Sequence, residues 1–265
     1  MKARAALVLC ALPLLLTACS SSPAAPPATS TPSAPAAPPT PTPGSAGAVL
    51  GFDGTQVLAP TADQAAVRVL KRGDAPLQTV PSGDGSRGLA FPDYRADKEQ
   101  RLVLVIEGAD AAGTSLPAPV LTFGADVRLD AGTTNGRADN GDNVVQRGLY
   151  AEDDQYKLQV DHRVPSCRVK TPQGAAVLTF DVVLDEGWWR LGCRYDGSEL
   201  TGRATALAGG QDRTGSTPAA LGALSFTPST VVSVGGKAGP GGALVVTQPD
   251  QFNGALDNVF VSPAP

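Results

Sequence analysis

The chain has 265 residues, of which 42% are hydrophobic, 17% are charged and 5% are aromatic, and it contains 30 Gly and 24 Pro. A low charge combined with so much Gly and Pro argues against a helical bundle or a coiled coil. The formal net charge of −4 argues against a nucleic acid as partner, because such a partner calls for a basic surface patch. With a single His, the chain also lacks much of the usual catalytic and metal-binding inventory.

The N-terminus has the pattern of an exported protein. Lys2 and Arg4 precede the apolar run 5–16, which is too short to span a membrane, since a spanning helix needs about 20 apolar residues. Such a run is typical of a secretory signal. It ends in Leu-Thr-Ala-Cys at residues 16–19, which resembles the lipobox of bacterial lipoproteins, whose signal peptidase cuts just before the Cys.

The lipobox resemblance implies a signal peptide over residues 1–18 and lipidation of Cys19. Several acyl chains, such as palmitate, would then anchor the protein to the outer face of the cell membrane, since each buried CH₂ contributes about 0.8 kcal/mol. The alternative is an ordinary signal peptide with an incidental Cys.

A linker follows the lipidation site. Residues 20–47 contain only Ser, Pro, Ala, Thr and Gly, with nine prolines and no charge. Such a segment cannot form a core. Proline stiffens it toward polyproline II, with a reach of up to roughly 85 Å at about 3.1 Å per residue. We therefore assign residues 19–47 to the lipidated Cys and its linker, and residues 48–265 to a folded domain.

Residues 48–265 show the alternation of half-buried antiparallel strands. In residues 121–129, every second side chain is apolar: Leu121, Phe123, Ala125, Val127 and Leu129. Residues 156–161 repeat this pattern, and further candidate strands are 102–106, 177–184, 189–195, 231–234 and 256–261. Asn-Gly and Asp-Gly pairs, which favour tight hairpins, begin at residues 53, 84, 135, 140, 196 and 253. The predicted fold is all-β, an antiparallel β-sandwich.

Two cysteines remain in the folded domain once the signal is removed and Cys19 is acylated. Cys167 and Cys193 are predicted to form a disulfide, because the exported compartment is oxidising. The alternative is a pair of buried free thiols. A zinc site is a poorer interpretation, because His162 alone cannot complete four ligands.

An ordered set of segments resembles a laminin G-like, concanavalin A-like jelly roll. No single motif is specific, and the order carries the resemblance: residues 88–94, 142–149, 156–161, 189–197, 234–236 and 252–260. The family's His after the strand Trp is absent, since Trp188-Trp189-Arg190 stands there. The resemblance implies the fold and says little about a ligand.

The sequence predicts a protein that is not an enzyme. The G-x-G-x-x-G at residues 83–88 is predicted to be a turn, because Pro92 prevents a helix from following it. Neither the E-x-D-x-x-E of related glucanases nor a serine elbow occurs. The acidic clusters 152–154 and 185–186 lie beside turn-like segments and are interpreted as solvated loops, and His162 as a surface residue.

Two groups of residues are candidate ligand sites. Asp139, Asn140 and Asp142 are predicted calcium ligands, since calcium takes carboxylate, amide and carbonyl oxygens. The same residues also form turns without metal. Trp188 and Trp189 are adjacent in a predicted strand, so one belongs to the core and the other is a possible contact for a sugar or a protein.

Export, lipidation and the absence of catalytic motifs favour one function class. We expect a cell-surface lipoprotein that displays a non-catalytic binding or adhesion module for an extracellular glycan or protein. The alternatives are a structural envelope lipoprotein without a soluble ligand and a divergent glycan hydrolase. The fold alone does not choose among them.

Overall fold

The structure is a computed structural model that describes residues 48–51, 59–60, 66–93, 100–107, 120–134, 142–248 and 250–264. The predicted signal peptide, Cys19, the linker and the calcium candidates Asp139 and Asn140 lie outside these ranges. Within the described ranges, no helix has the length and apolar character that crossing a membrane would require.

The described residues form two antiparallel sheets, of nine and seven strands. The first sheet comprises β1 (Ala48–Gly51), β2 (Ala59–Pro60), β4 (Gln78–Pro81), β5 (Arg87–Ala90), β7 (Val120–Leu129), β12 (Trp189–Tyr195), β13 (Glu199–Ala206), β14 (Asp212–Pro218) and β16 (Gly254–Ala264). The second sheet comprises β3 (Ala66–Arg72), β6 (Arg101–Glu107), β8 (Asp142–Arg147), β9 (Gln155–Asp161), β10 (Val164–Thr171), β11 (Gly174–Thr179) and β15 (Val232–Val234). Two short 3-10 helices occupy Ala131–Thr134 and Pro240–Gly242.

The order of the strands places the last one in the middle of the first sheet. That sheet runs β14-β13-β12-β7-β16-β1-β2, and β5, which pairs with β4, also pairs with β16. The second sheet runs β11-β10-β9-β8-β15-β6-β3. The prediction of an all-β antiparallel jelly-roll sandwich is confirmed.

Strand alternation builds the core between the two sheets. The apolar side chains predicted for residues 121–129 are all buried in one cluster with Tyr156, Leu158 and Val160 of β9. Burying such faces removes apolar area from water at roughly 25 cal/mol per Å², which is the main favourable term for this kind of fold. Trp189, at 1% exposure, has the largest fully buried side chain among the described residues.

One predicted strand extends too far. Strand β11 ends at Thr179, whereas the sequence predicted a strand over 177–184. Phe180 and Leu184 are buried in the core, but from a loop that is held by hydrogen bonds to the carbonyls of Pro165 and Arg163. Their apolar character therefore reflects burial rather than strand alternation.

The predicted disulfide is confirmed, and it joins the two sheets. Cys167 lies on β10 of the second sheet and Cys193 on β12 of the first, with their Cα atoms 6.0 Å apart. Both residues are fully buried in the core. The bond closes a loop with a sequence separation of 26, which restricts the unfolded chain.

A loop covers half of the outer face of the second sheet. Val103 and Val105 of β6 point away from the core and pack with Ala238, together with Leu70 and Leu244. Arg68 of β3 donates hydrogen bonds to the carbonyls of Gly241 and Gly242, at 3.0 and 3.1 Å, and pairs with Glu107. We call residues 236–248, together with Asp250, the covering segment. The outer faces of β8 to β10 carry the polar residues described below.

Reduction of the disulfide is expected to lower the midpoint of thermal unfolding. The loop is worth about 3 kcal/mol in the chain-entropy model, which corresponds to roughly 6–12 °C for a domain of this size. Differential scanning calorimetry with and without reductant measures the shift. The double variant Cys167→Ala/Cys193→Ala is the control, because reductant should leave its midpoint unchanged. An equal midpoint for the oxidised and reduced wild type would contradict the prediction.

Candidate functional site

A row of polar side chains crosses the outer face of the second sheet, where Arg168 and Lys157 are half-buried and Gln146 and Ser233 are buried. Arg168 of β10, Lys157 of β9, Gln146 of β8 and Ser233 of β15 are successive cross-strand neighbours. They alternate with core residues along their strands, so their side chains lie on the outer face. We call this surface the polar face.

A second row of the polar face contains acceptor atoms without donors. Asn143 of β8 and Gln159 of β9 are cross-strand neighbours next to the first row. Asn143 donates to Gln146 Oε1 at 2.7 Å, but Asn143 Oδ1 and Gln159 Oε1 are buried without a hydrogen-bond partner among the described residues. Buried polar atoms are almost always hydrogen-bonded, so these two acceptors call for a partner such as an ordered water or a ligand group.

Two lysines and one aspartate form the edge of the polar face. Asp250 of the covering segment is 1% exposed, and its Oδ2 lies 2.8 Å from Lys237 Nζ and 3.6 Å from Lys157 Nζ. The two lysine side chains are 17% and 12% exposed. Burial lowers the pKa of Lys157 to about 8. The positive charges of Lys237 and Arg168 lower this pKa further, whereas the carboxylate of Asp250 raises it. The cluster therefore buries more positive than negative charge.

An exposed aromatic ring lies at the opposite side of the polar face. Tyr150, in the turn between β8 and β9, is 75% exposed. The Arg168 guanidinium carbon lies 5.3 Å from its ring centroid and Lys170 Nζ lies 5.6 Å from it. Lys170 also donates to the Tyr150 carbonyl at 2.9 Å, and Gln155 accepts from Arg168 Nε at 3.0 Å. These contacts fix the ring against two cations.

The predicted tryptophan pair divides between the core and the opposite face of the first sheet. Trp189 donates to Asp185 Oδ1 at 2.8 Å and is buried, which removes it from the possible ligand contacts. Trp188 is half-buried. Its side chain packs closely on Gly83 and Gly88 of the β4–β5 hairpin, and the Arg128 guanidinium lies 5.4 Å from its ring centroid. Trp188 therefore holds a hairpin in place, and its role as a ligand contact stays a prediction.

Three carboxylates meet near the bulge in β16, but each has donors. Asp126, fully buried, accepts two hydrogen bonds of 2.7 Å from Arg190. Asn258 donates to Asp84 and Asp126 at 3.0 and 2.9 Å. Asp257 accepts from Ser86 at 2.6 Å, and burial raises the pKa of Asp257. This arrangement is a closed structural network that joins the β4–β5 hairpin to the sheet.

A surface cavity lies beside the acidic loop 152–154. It has a volume of about 360 Å³, and its lining includes Asp154, Phe226 and Thr230. Burial raises the pKa of Asp154, and its Oδ1 has no hydrogen-bond partner in the described part of the chain. This is the one observation that favours a hydrolytic alternative.

The calcium prediction is only partly within the structure. Asp142 begins β8 and is buried opposite Val160, whereas Asp139 and Asn140 lie outside the described residues. Among the residues that are described, no group of three His, Cys, Asp or Glu side chains is arranged to hold a metal ion. Calcium binding stays a prediction.

Comparison with known proteins identifies the fold alone. No protein-family model and no curated protein matches the chain. The binding domain of Paraclostridial Mosquitocidal Protein 1 is similar with a TM-score of 0.57 and 11% identity, covering 82% of this chain and 48% of that one. The botulinum neurotoxin serotype D/C VPI 5993 binding domain is similar with a TM-score of 0.52 and 9% identity. The match covers 82% of this chain and 49% of that one.

A region of the laminin alpha2 chain, LG1-3, is also similar, with 9% identity over 83% of this chain and 32% of that one. Its TM-score of 0.46 is too low to carry an argument. The chain spans less than half the length of each of these three structures.

Lys157→Met is expected to stabilise the protein at pH 7, by up to about 3 kcal/mol. The pKa of Lys157 is about 8 in the folded state against an ordinary value of 10.5, so the unfolded chain binds this proton more tightly. The charged Lys157 therefore destabilises the folded wild type. This destabilisation is fully present below pH 8 and disappears as the pH rises from 8 to 10.5. Thermal unfolding of both proteins at pH 7 and pH 10 measures the gain, which should shrink with pH.

Lys157→Arg is the matched control for this prediction, because it keeps a positive charge at the same position. It is expected to give no stabilisation at either pH. A gain for Lys157→Met that is equal at pH 7 and pH 10 would assign the effect to packing instead of charge.

Proposed function

We propose that the chain is a cell-surface lipoprotein that displays a non-catalytic binding module on a proline-rich linker. The module binds an extracellular glycan or protein, and the polar face is its contact surface. The observation that carries the proposal is the polar face itself. It combines buried acceptors that have no donor in the described part of the chain, a destabilising buried lysine and an exposed ring fixed by two cations. Perturbed ionisable groups with unpaired polar neighbours are typical of functional sites.

The comparisons support the binding class. Two of the similar structures are themselves described as binding domains, of a mosquitocidal protein and of a neurotoxin. At sequence identities of 11% and 9%, the similarity indicates a shared fold and does not indicate a shared ligand. The proposal of a binding role for this chain therefore rests on its own polar face. The shared architecture is further support for it.

The non-catalytic part of the proposal has its own support. Glycosidases place two carboxyl groups about 5–10 Å apart on opposite sides of the scissile bond. The carboxylates near the bulge of β16 are occupied by Arg190, Asn258 and Ser86. Asp154 and its cavity supply the competing hypothesis of a divergent glycan hydrolase.

The full chain is expected to bind glycans or proteins from a cell-envelope extract without turning them over. Binding is measured by surface plasmon resonance against fractionated extract, and turnover by the release of reducing sugar. The Asp154→Asn variant is the control for catalysis. Sugar release by the wild type that Asp154→Asn abolishes would replace the binding module with the hydrolase.

The lipid anchor is tested separately. Cys19→Ser is expected to move the expressed protein from the detergent phase to the aqueous phase in a phase-partition experiment, because acylation needs the thiol. Metabolic labelling with a radioactive fatty acid should mark the wild type and leave the variant unmarked. Equal labelling of both proteins would contradict lipidation at this residue.

A further inference from the structure

We propose that the polar face binds a saccharide that carries an anionic group, with Tyr150 as the stacking platform and Lys157 as the contact for the charge. This inference rests on the proposed binding function and names the class of its ligand. The anionic group is a carboxylate or a phosphate, since both present oxygens to an ammonium group.

Local charge is the first observation. The polar face carries Lys157, Arg168, Lys170 and, at its edge, Lys237, whereas the chain as a whole has a formal net charge of −4. Asp250 is the one carboxylate paired with the two buried lysines in the described structure. An anionic group placed over Lys157 and Lys237 would balance the remaining positive charge. Buried charges are tolerated when they are paired, so the site gains from such a ligand.

The hydrogen-bonding groups are the second observation. Gln159 is half-buried and its cross-strand neighbour Asn143 is fully buried, and neither Gln159 Oε1 nor Asn143 Oδ1 has a donor among the described residues. Lys157 lies two residues before Gln159 on the same face of β9, and its Nζ is 3.6 Å from Asp250 Oδ2. Both amide oxygens are closed to solvent, so a sugar hydroxyl donates to Gln159 Oε1 once the half-buried Gln159 side chain turns outward.

The aromatic ring is the third observation. Tyr150 presents most of its surface to solvent, and Arg168 links it to Lys157, because Arg168 contacts the ring and is the cross-strand neighbour of Lys157. Neighbouring strands are about 4.8 Å apart, so the ring and the lysine lie within reach of one short oligosaccharide. Tyr rings supply rigid, amphipathic contact area at a low cost in side-chain entropy.

A set of four polymers tests the ligand class on the full chain held in detergent. Polygalacturonate carries both hydroxyls and carboxylates, and its methyl ester keeps the hydroxyls without the charge. Poly-glutamate keeps the charge without the sugar, and a sugar-phosphate polymer replaces the carboxylate with phosphate. We expect polygalacturonate or the sugar-phosphate polymer to bind at least tenfold more tightly than the methyl ester and poly-glutamate, and the tighter of the two identifies the anionic group.

Variants test the assigned residues. Lys157→Met and Tyr150→Ala are each expected to weaken binding at least fivefold, while Arg203→Gln, which removes an exposed charge from the first sheet, leaves it unchanged. Raising the pH from 7 to 9.5 should weaken wild-type binding more than that of Lys157→Met, because Lys157 loses its proton in that range beside Asp250, Lys237 and Arg168. Lys157→Met is expected to be more stable than the wild type, so weaker binding by it does not report misfolding.

The outcomes separate this inference from the proposed function. Binding to envelope extract without binding to either anionic saccharide overturns the inference and leaves the binding module intact. If poly-glutamate binds as tightly as polygalacturonate, the polar face binds an acidic peptide, and the inference of an anionic saccharide is overturned. Binding to no fraction and no polymer overturns both proposals.

Discussion

The constraint on which the structure depends is that each strand of a two-layer sandwich has a single face to bury against the other layer. Leu121 to Leu129 and Tyr156 to Val160 satisfy it from opposite sheets, and the Cys167–Cys193 bond fixes the two layers together. Every second side chain is thereby committed to the core. The remaining half of the side chains must either be covered by loops or face solvent, and this choice differs between the two sheets.

The outward-facing side chains of the two sheets are accommodated differently. The first sheet closes its outer face with paired charges, such as Arg190 with Asp126 and Arg203 with Asp212. The second sheet buries Val103 and Val105 under the covering segment and leaves polar groups on β8 and β9 without partners among the described residues. A completed network stabilises, whereas an incomplete one costs stability. The polar face is therefore the part of the molecule whose composition folding alone does not explain.

Local patterns in the sequence predicted the fold well. The alternation of residues 121–129 and 156–161 determines which side chains are buried, because a strand has a period of two. The same rule failed at residues 180–184, since Phe180 and Leu184 are buried from a loop. The candidate site was harder to predict. Lys157 and Asp250 are far apart in the chain, and no local pattern shows that the covering segment brings them together.

The central position of β16 has a consequence for how the chain folds. Residues 254–264 lie between β7 and β1 and also pair with β5, so the first sheet is complete only when this segment has joined it. Pairings between residues so distant in sequence give a high contact order and slow folding. A chain whose residues 254–264 have not yet joined the sheet lacks the strand that connects β7 to β1 and β5. The strand order thus makes completion of the first sheet depend on a pairing between the two ends of the described residues.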